Sequence, residues 1–473
     1  MMLQRLLVTL FAATVASVIA GVLPPRQAPD AAQGVTTITS PGGSKIRYKQ
    51  PGKDGICETT PGVNSYSGYI DIAPDVHVFF WFFESRRDPA KDPVTLWLNG
   101  GPGSDSLIGL FEEIGPCEVV ENMTTVLRDY AWNEISNVLF LSQPVGTESF
   151  GGHWGPAFYT LFNDRNSELE QSTPVGRKLN LKSLGIVNGI VDEHVQTKYL
   201  LDFTRGENNG YGVNLINETI YNYGKWNRDR PGGCQEKLDY CDYLERDSIV
   251  RRSACSAAQF ICQSDVEGMF YTFNLEGRGT YDIRFPSGKD VPPDNWRPWL
   301  NTAQAQNVLG VDLNYTSNNL LYTAYTLSGD FAVGYLPDVE KLLELDVQVS
   351  LVYGDADYIC NWLGGEALSL TANWSGAESF RDAGYTSLMV DGKAYGETRQ
   401  YGKLSFTRLW NAGHEIPYFQ PAAAFQIFNR TSNRFDIATG EIKINPDSTD
   451  QTNGTAKTTK TTSLPPLPAQ TGV

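Results

Sequence analysis

The chain alternates short apolar runs with segments of helical periodicity. Four apolar runs bounded by turn-forming residues have the character of buried strands, at residues 76–83, 94–98, 138–141 and 347–353. Apolar residues recur at helical spacing in residues 156–162 and 422–428. Strands that alternate with helices predict an α/β protein whose central sheet is mainly parallel and is covered by helices on both faces.

The middle of the chain breaks this rhythm. Residues 185–320 are interrupted by Gly, Asn and Cys, which predicts a separate cap inserted into the α/β core. The core then consists of residues 41–184 and 321–444. Residues 445–473 are rich in Thr, Pro and Lys and have almost no bulky apolar side chains, so we expect a disordered tail there.

The amino-terminal residues have the pattern of an export signal. Arg5 precedes an uncharged apolar stretch from Leu6 to Ala20 that ends in small residues, so residues 1–20 are predicted to be a signal peptide. Residues 21–40 are poor in large apolar side chains and are expected to form a propeptide or flexible arm. The apolar stretch is shorter than a membrane span, and none later in the chain is longer, so we expect no transmembrane helix.

The net charge and the glycosylation sequons indicate which binding partners and which cellular compartment fit this chain. The formal net charge is −16, which argues against nucleic acid as a partner because phosphate backbones require basic patches. Asn-x-Ser/Thr sequons agree with an exported glycoprotein. They begin at Asn122, Asn217, Asn314, Asn373, Asn429 and Asn453.

Seven cysteines in an exported chain favour disulfides over metal ligands, so no metal is expected. Four of them lie in one short region, at Cys234, Cys241, Cys255 and Cys262. A nested pattern, in which the outer two and the inner two are joined, is one of three possible pairings. Cys57 and Cys117 would then pair and leave Cys360 free.

A candidate nucleophile and base emerge from two short segments. Residues 147–152, Thr-Glu-Ser-Phe-Gly-Gly, approximate the strand-to-helix elbow that exposes a serine hydroxyl, here that of Ser149. A serine between small residues is more often an ordinary turn, so the interpretation needs a base to accept its proton. Of the four histidines, His414 lies in a Gly-bounded turn before a helix and is the best base by elimination.

The acid and the oxyanion donors are sought at the carboxyl ends of strands. In α/β-hydrolases the order along the chain is serine, acid, histidine. The acids at the end of the strand at 347–353 are Asp355 and Asp357, where an orienting carboxylate belongs. Residues 99–103, Asn-Gly-Gly-Pro-Gly, follow the strand at 94–98, and their glycines leave backbone amides open to a developing oxyanion.

Six segments in fixed order resemble the serine carboxypeptidases. They are WLNGGPG at 97–103, FEEIGP at 111–116, LSQPVG at 141–146, ESFGGH at 148–153, GDADYICNW at 354–362 and GHEIP at 413–417. The Thr-Glu-Ser form is similar to the fungal carboxypeptidase S1-type branch, and the likeness runs from about residue 57 to about residue 430. The resemblance implies an α/β-hydrolase fold with a disulfide-bonded cap, and no cofactor is expected. The predicted signal peptide indicates a secreted or vacuolar location. The implied substrate is a peptide or protein with a free C-terminus.

The resemblance also implies a role for each site residue. It makes Ser149 the nucleophile, His414 the base and Asp357 the orienting acid, with oxyanion donors at the amides of Gly101 and Phe150. The groups implied to hold the substrate's C-terminal carboxylate are Asn99, the amide of Gly100, Glu113 and Glu148. Two glutamates in one pocket share a proton at acidic pH, which lets them donate hydrogen bonds to a carboxylate and predicts an acidic optimum.

One departure from the family pattern leaves the function of this chain open. In the family, a crossover helix and the strand that feeds the elbow separate the Pro-Val-Gly loop from the nucleophile. Here Gly146 is followed at once by Thr147, whereas a parallel crossover needs a dozen or more residues. The alternatives to a serine-type carboxypeptidase are therefore an inactive or misfolded relative, or an acyltransferase on the same triad.

Overall fold

The computed structural model describes residues 34–101, 105–142, 150–171, 176–245, 248–311, 313–316 and 319–458. Its strands are β1 Thr36–Thr39, β2 Lys45–Lys49, β3 Ser65–Ala73, β4 Val76–Phe83, β5 Val94–Trp97, β6 Cys117–Val119, β7 Thr125–Leu127, β8 Asn137–Ser142, β9 Ser183–Val187, β10 Gln348–Gly354, β11 Thr386–Val390, β12 Lys393–Tyr401 and β13 Leu404–Leu409. The four strands expected from the apolar runs are thus present, as β4, β5, β8 and β10.

The α-helices follow the strands or form the cap. They are Gly151–Gln171, Glu193–Phe203, Gly206–Asn209, Glu218–Asp229, Cys234–Tyr243, Ile249–Cys262, Gly268–Phe273, Trp296–Leu300, Ala303–Leu309, Asn319–Ser328, Leu336–Glu344, Trp362–Thr371, Ala377–Asp382, Ile416–Phe419 and Pro421–Ser432. Shorter helical segments are Pro51–Asp54, Gly109–Ile114, Trp132–Glu134, Gln263–Glu267 and Asp330–Ala332. The two expected helical patterns lie inside Gly151–Gln171 and Pro421–Ser432. None of the helices in the described ranges combines the length and apolar character that a membrane crossing requires.

The first sheet has the strand order β1-β2-β3-β4-β8-β5. β1 to β4 form an antiparallel meander, β8 pairs antiparallel with β4, and β5 pairs parallel with β8. Trp81, Phe83 and Phe140 are fully buried on this sheet. β8 therefore lies between β4 and β5 in this sheet.

The second sheet has the strand order β11-β12-β13-β10-β9. β10 lies between β13 and β9, parallel to both, and each of its seven residues is buried. A central parallel strand that is covered on both faces takes this continuous apolar form. The carboxyl end of β10 is where the candidate acid follows.

The expectation of one mainly parallel sheet is not met in the described residues. Two mixed sheets are present instead, and β5 and β9 are both edge strands. Antiparallel meanders extend the outer sides of both sheets, and no described strand joins the two inner edges. A Cβ added at Gly151 would lie 3.4 Å from Leu98 O, and one at Gly152 would lie 2.1 Å from Ile190 O, so the helix Gly151–Gln171 begins between the carboxyl ends of β5 and β9.

The helices from Glu193 to Leu309 correspond to the expected cap, and two disulfides lie within them. Cys234 is bonded to Cys262 and Cys241 to Cys255, which confirms the nested pairing. The four half-cystines share a small hydrophobic core with residues such as Leu201 and Leu238. Cys57–Cys117 is the third disulfide, and Cys360 is free and buried, as expected. Strand β9 crosses the expected start of the cap at residue 185.

Both expected flexible ends are ordered where the structure describes them. Residues 36–39 form β1, which differs from the expectation of an arm through residue 40. Residues 450–458 lie along β11 and β12: Tyr385 N donates to Thr455 O at 2.7 Å, and Thr452 N donates to Gln400 O at 3.0 Å. A polar segment can be ordered by backbone pairing without burying a core, which is why composition alone was misleading. The expected signal peptide lies outside the described residues.

We predict that the 473-residue chain is secreted poorly, because β5 and β9 each lack a neighbouring strand on one side in the described residues. Each buried backbone group without a partner costs about 1–3 kcal/mol, and several such losses approach the roughly 5–15 kcal/mol that stabilises a typical domain. Secretion yield, size-exclusion chromatography and hydrogen exchange measure the effect. In any soluble fraction, amides of β5 and β9 should exchange much faster than those of β10. Abundant monodisperse protein with equal protection in all three strands would contradict the prediction.

Candidate active site

The candidate base and acid are in direct contact. Asp357 follows β10 and is fully buried, and His414 follows β13 and is 8% exposed. His414 Nδ1 lies 2.8 Å from Asp357 Oδ2, a hydrogen-bond distance. The backbone N–H of His414 donates to Tyr281 O at 2.8 Å, which anchors the histidine loop to the cap side of the site. This pairing occupies one ring nitrogen of His414, Nδ1.

The charge of this pair depends on two opposing effects. Burial acts to lower the pKa of His414, but the adjacent Asp357 carboxylate outweighs it, and the pKa lies well above its usual value. A histidine with a raised pKa contributes stability that is fully present below about pH 6.5 and is lost as the pH rises through the pKa of the folded state. The same shift means that the neutral imidazole, which can accept a proton, becomes more abundant as the pH rises.

Cys360 lies beside this pair. Its thiol is buried, and a hydrogen bond between Cys360 and His414 also favours the protonated imidazole. Donor atoms of Asp357, Cys360 and His414 lie within 4.8 Å of one another. Since Asp357 and His414 are already hydrogen-bonded to each other, the arrangement is that of an acid–base pair with a neighbouring thiol.

Asn188 was not identified from the sequence, yet it contacts the acid. It follows β9, is 1% exposed, and its Nδ2 lies 2.7 Å from Asp357 Oδ2. Nothing in the segment Val187-Asn188-Gly189 distinguishes it from an ordinary turn asparagine in the absence of the fold. Its φ of 42° lies in the left-handed region, which asparagine tolerates better than most residues.

The candidate carboxylate-binding residues Asn99 and Glu113 are brought together. Asn99 Oδ1 accepts hydrogen bonds from Trp97 Nε1 at 2.6 Å and from Gly109 N at 2.9 Å. These contacts orient the amide so that Asn99 Nδ2 donates to Glu113 Oε1 at 3.0 Å. Glu113 is 6% exposed, and Gly100 is buried directly after Asn99. The site therefore has a fixed amide donor and a buried carboxyl group side by side.

The segment that carries Glu113 is a π-helix, Gly109–Ile114, held by residues that the sequence did not reveal. Arg128 donates to Glu112 O at 3.0 Å and to Phe111 O. Trp296, from the cap, donates to the Glu112 carboxylate at 2.5 Å. π-helical turns are rare and occur often at functional sites.

The remaining expected site residues are placed in part. Phe150 is fully buried and directly precedes the helix Gly151–Gln171, and Gly101 has a φ of 135°, which a side chain would strain. Both flank the elbow region between β5 and β9. Ser149 and Glu148 lie outside the described residues.

Five sequon asparagines are exposed, whereas Asn429 is half-buried in the helix Pro421–Ser432.

Comparisons with a family profile and with known proteins all point to the same protein family. The profile described as serine carboxypeptidase matches residues 51–147 and 147–434. Carboxypeptidase S1 homolog B of Arthroderma otae is 33% identical over 538 positions, covering 89% of this chain and 81% of that protein. Carboxypeptidase S1 of Penicillium janthinellum is 30% identical over 435 positions, covering 81% of this chain and 99% of that protein.

A solved structure shares the fold. The prohormone-processing carboxypeptidase Kex1 of Saccharomyces cerevisiae superposes with a TM-score of 0.65 at 19% identity, covering 82% of this chain and 95% of that one. At this identity the likeness shows the fold alone.

The comparisons also mark the junction between Gly146 and Thr147. The two matched ranges of the family profile meet at residue 147. The alignment with the Arthroderma otae relative has 538 positions against 473 residues in this chain, so at least the difference of 65 positions has no counterpart here. The break in the profile falls where the second half of the site begins.

His153 gives a pH-dependent prediction of stability. It is fully buried, neither ring nitrogen has a hydrogen-bond partner among the residues that the structure describes, and burial lowers its pKa to about 3. The unfolded chain binds a proton on this residue below about pH 6.5 and the folded chain does not. Replacement of His153 by Phe should therefore raise the free energy of unfolding progressively as the pH falls from 6.5 toward 3, by about 1.4 kcal/mol per pH unit.

Urea unfolding at several pH values measures the effect, and Tyr159 on the same helix supplies the control. The Tyr159 hydroxyl is also buried and has no hydrogen-bond partner within the described ranges, but burial raises its pKa, so Tyr159→Phe should shift stability equally at every pH in this range. The same constant shift for His153→Phe would show that His153 does not remain neutral in the folded protein.

Proposed function

The chain belongs to the serine carboxypeptidase family, and we propose on that premise that its site is built to release C-terminal residues from peptides through an acyl-enzyme. The observation that carries the proposal is the 2.8 Å contact between His414 and Asp357 at the carboxyl ends of β13 and β10. A buried carboxylate fixes the tautomer and orientation of a histidine that must accept a proton on its other nitrogen. The elbow sequence at residues 147–152 supplies the nucleophile, Ser149.

The reaction proceeds in two halves. Ser149 Oγ attacks the carbonyl carbon of the last peptide bond while His414 Nε2 accepts the hydroxyl proton, and the backbone amides of Gly101 and Phe150 donate to the oxyanion. Collapse of this intermediate breaks the C–N bond, and His414 returns the proton to the leaving amine. Water then repeats the attack on the acyl-enzyme with His414 as base, and the shortened peptide leaves as a carboxylic acid.

Specificity for a free C-terminus rests on the second group of residues. Asn99, the amide of Gly100, Glu113 and Glu148 are proposed to hold the substrate carboxylate. The support is the contact of Asn99 Nδ2 with Glu113 Oε1, which places an amide donor next to a buried carboxyl group. A proton shared by Glu113 and Glu148 makes this pair a hydrogen-bond donor, so that two acidic side chains can bind the C-terminal carboxylate of the substrate.

The rate of peptide hydrolysis should then depend on pH through two effects of opposite sign. The raised pKa of His414 limits the neutral base at low pH, whereas loss of the proton shared by the glutamates weakens peptide binding as the pH rises. The acidic optimum that the glutamates imply therefore applies to peptides with a free carboxylate, and is opposed by His414. Esters lack the second effect, so their hydrolysis should keep rising with pH.

We assign the protein to an oxidising, secretory environment, outside the cell or in the vacuole. Three disulfides are typical of such compartments. The exposed sequon asparagines are the proposed glycosylation sites, at Asn122, Asn217, Asn314, Asn373 and Asn453. Asn429 is a poor acceptor because it lies half-buried within a helix and its side chain contacts Asn433 at 2.8 Å.

An inactive relative is the second candidate function, and the separation of the two sheets favours it. The acid and base lie on the sheet that contains β9 and β10, while Asn99 and Glu113 follow β5 on the other. Without a strand that joins the edges, the distance between these two halves is not fixed by backbone pairing. The chain then retains the residues of a carboxypeptidase without the geometry that catalysis requires.

We predict that fluorophosphonate labelling of the secreted protein depends on Ser149. Ser149→Ala should abolish labelling and peptidase turnover, because the hydroxyl is the atom that is phosphonylated. Ser167→Ala, an exposed serine on the helix that follows the elbow, is the matched control and should label normally.

The same measurement separates the two candidate functions. A second protein carries the matching segment of the Arthroderma otae relative between Gly146 and Thr147. If only the protein with the inserted segment is labelled, the 473-residue chain is an inactive relative. Undiminished labelling of Ser149→Ala in either protein would exclude Ser149 as the nucleophile.

We predict that Glu113→Gln reduces kcat/KM for peptides with a free C-terminal carboxylate more than for amidated peptides or esters. The substitution removes the group that shares a proton, and should flatten the high-pH limb of the peptide profile. Glu112→Gln is the control, since the Glu112 carboxylate accepts a hydrogen bond from Trp296 and is not among the residues proposed to bind the substrate carboxylate. An equal loss of kcat/KM on all three substrate classes would show that Glu113 does not bind the C-terminal carboxylate of the substrate.

A further inference from the structure

Asn188 connects the three loops that form the acid–base half of the site. Its Nδ2 donates to Asp357 Oδ2 at 2.7 Å and to Gly413 O at 3.2 Å. Its Oδ1 accepts from Gly354 N at 2.9 Å, and its backbone N–H donates to Val352 O at 2.9 Å. One side chain at the end of β9 therefore contacts the end of β10, the acid, and the residue before the base.

The Asp357 carboxylate depends on this contact for its orientation. Both His414 Nδ1 and Asn188 Nδ2 approach Oδ2, at 2.8 and 2.7 Å. The other oxygen, Oδ1, has no hydrogen-bond partner among the described residues. A carboxylate held at one oxygen can rotate about its χ2, and a second donor on a different element restricts that rotation.

The contact with Gly413 O acts on the base in the same way. Gly413 directly precedes His414, and a Cβ at Gly354 would lie 2.3 Å from Gly413 O, so the loops after β10 and β13 are packed without space between them. The Asn188 amide lies against both loops and is 1% exposed. A shift of the amide would move the acid and the base together.

Resting on the proposed function, we infer that Asn188 is the positioning residue of the acid–base pair. It keeps the Asp357 carboxylate in the plane that His414 needs and fixes the carbonyl that precedes the histidine. The ionisable group that Asn188 contacts is Asp357, whose carboxylate lies within 4.8 Å of the side-chain N and S atoms of His414 and Cys360. Asp355, two residues before Asp357, is occupied by the Tyr211 hydroxyl at 2.6 Å.

Two substitutions at Asn188 separate positioning from support of the fold. Asn188→Gly tolerates the left-handed φ but removes the amide, and should lower the rate of fluorophosphonate labelling roughly 10²-fold at every pH, the loss expected for displaced catalytic groups. Asn188→Asp keeps the shape and also tolerates this φ. When protonated, its carboxyl group has a donor and an acceptor as the amide does. When ionised, it repels Asp357 and cannot donate.

The expected signature is a pH-dependent rescue. Two carboxyl groups in contact share a proton at acidic pH, so Asn188→Asp should label at close to the unsubstituted rate at the acidic end and fall toward the rate of Asn188→Gly as the pH rises. Asn133→Asp is the matched control. Asn133 is equally buried and donates to a carboxylate, Glu58 Oε2 at 2.6 Å, but it precedes β8 and is not in the site.

Labelling rates of the full chain and its variants between pH 4 and pH 8 test the inference. It is overturned if Asn188→Asp labels like the unsubstituted chain throughout, if it loses the same factor at every pH, or if Asn133→Asp shows the same pH-dependent loss. Should the unsubstituted chain not label at all, the proposed function fails for this chain, and proton NMR then decides the inference. With four histidines in the sequence, the Nδ1 proton between His414 and Asp357 can be assigned. Its resonance should shift or broaden in Asn188→Gly and persist in Asn133→Asp, and an unchanged resonance in Asn188→Gly overturns the inference.

Discussion

The hydrogen-bonding requirement of the sheet is the constraint on which the rest of this structure depends. A strand in the centre of a sheet satisfies its backbone groups on both sides, and a strand at an edge satisfies them on one. Here β5 and β9 have the positions of central strands beside an elbow helix, yet each ends a separate sheet in the described residues. Val94 on β5 is 68% exposed and Gly185 on β9 is exposed, in contrast to the complete burial of β10. In the sequence, Gly146 is followed directly by Thr147 in the segment between β8 and the helix Gly151–Gln171.

The site is divided along the same line. Residues that would bind a substrate carboxylate are held by the π-helix of the first sheet, through Arg128 and the cap residue Trp296. Residues that would move a proton are held by the second sheet, through Asn188 and the loops after β10 and β13. Each half is internally rigid, since its side chains have partners that fix their orientation. Contacts between the halves include the stacking of Trp132 against Phe428, from the helix Pro421–Ser432, with ring centroids 3.9 Å apart.

Sequence reasoning identified the chemistry better than the support of that chemistry. His414 and the acids Asp355 and Asp357 were selected because a Gly-bounded turn and a strand end are visible in a linear pattern, and the family resemblance singled out Asp357, which contacts His414 in the structure. The nested disulfides were one of three pairings that the sequence left open. Asn188 was not found because it acts on Asp357, which is 169 residues away in sequence. Arg128 was not found because it contacts backbone oxygens of Phe111 and Glu112, which no side-chain pattern reveals. Residues 450–458 were misjudged for a similar reason, since the edge of β12 that orders them cannot be inferred from their own composition.

The position of the cap along the chain has a consequence for how the polypeptide acquires its structure during synthesis. β9 ends at Val187, and its partner β10 begins at Gln348, so β9 emerges from the ribosome long before it can pair. The disulfides of the cap span only 28 and 14 residues, and both are complete in sequence well before β10 is made. Oxidation of the cap therefore converts a long flexible connection into a compact spacer and lowers the entropy cost of bringing the two strands together. All four cap cysteines precede β10 in the chain, so the two disulfides shorten the connection between β9 and β10 and do not require that the two strands are already paired.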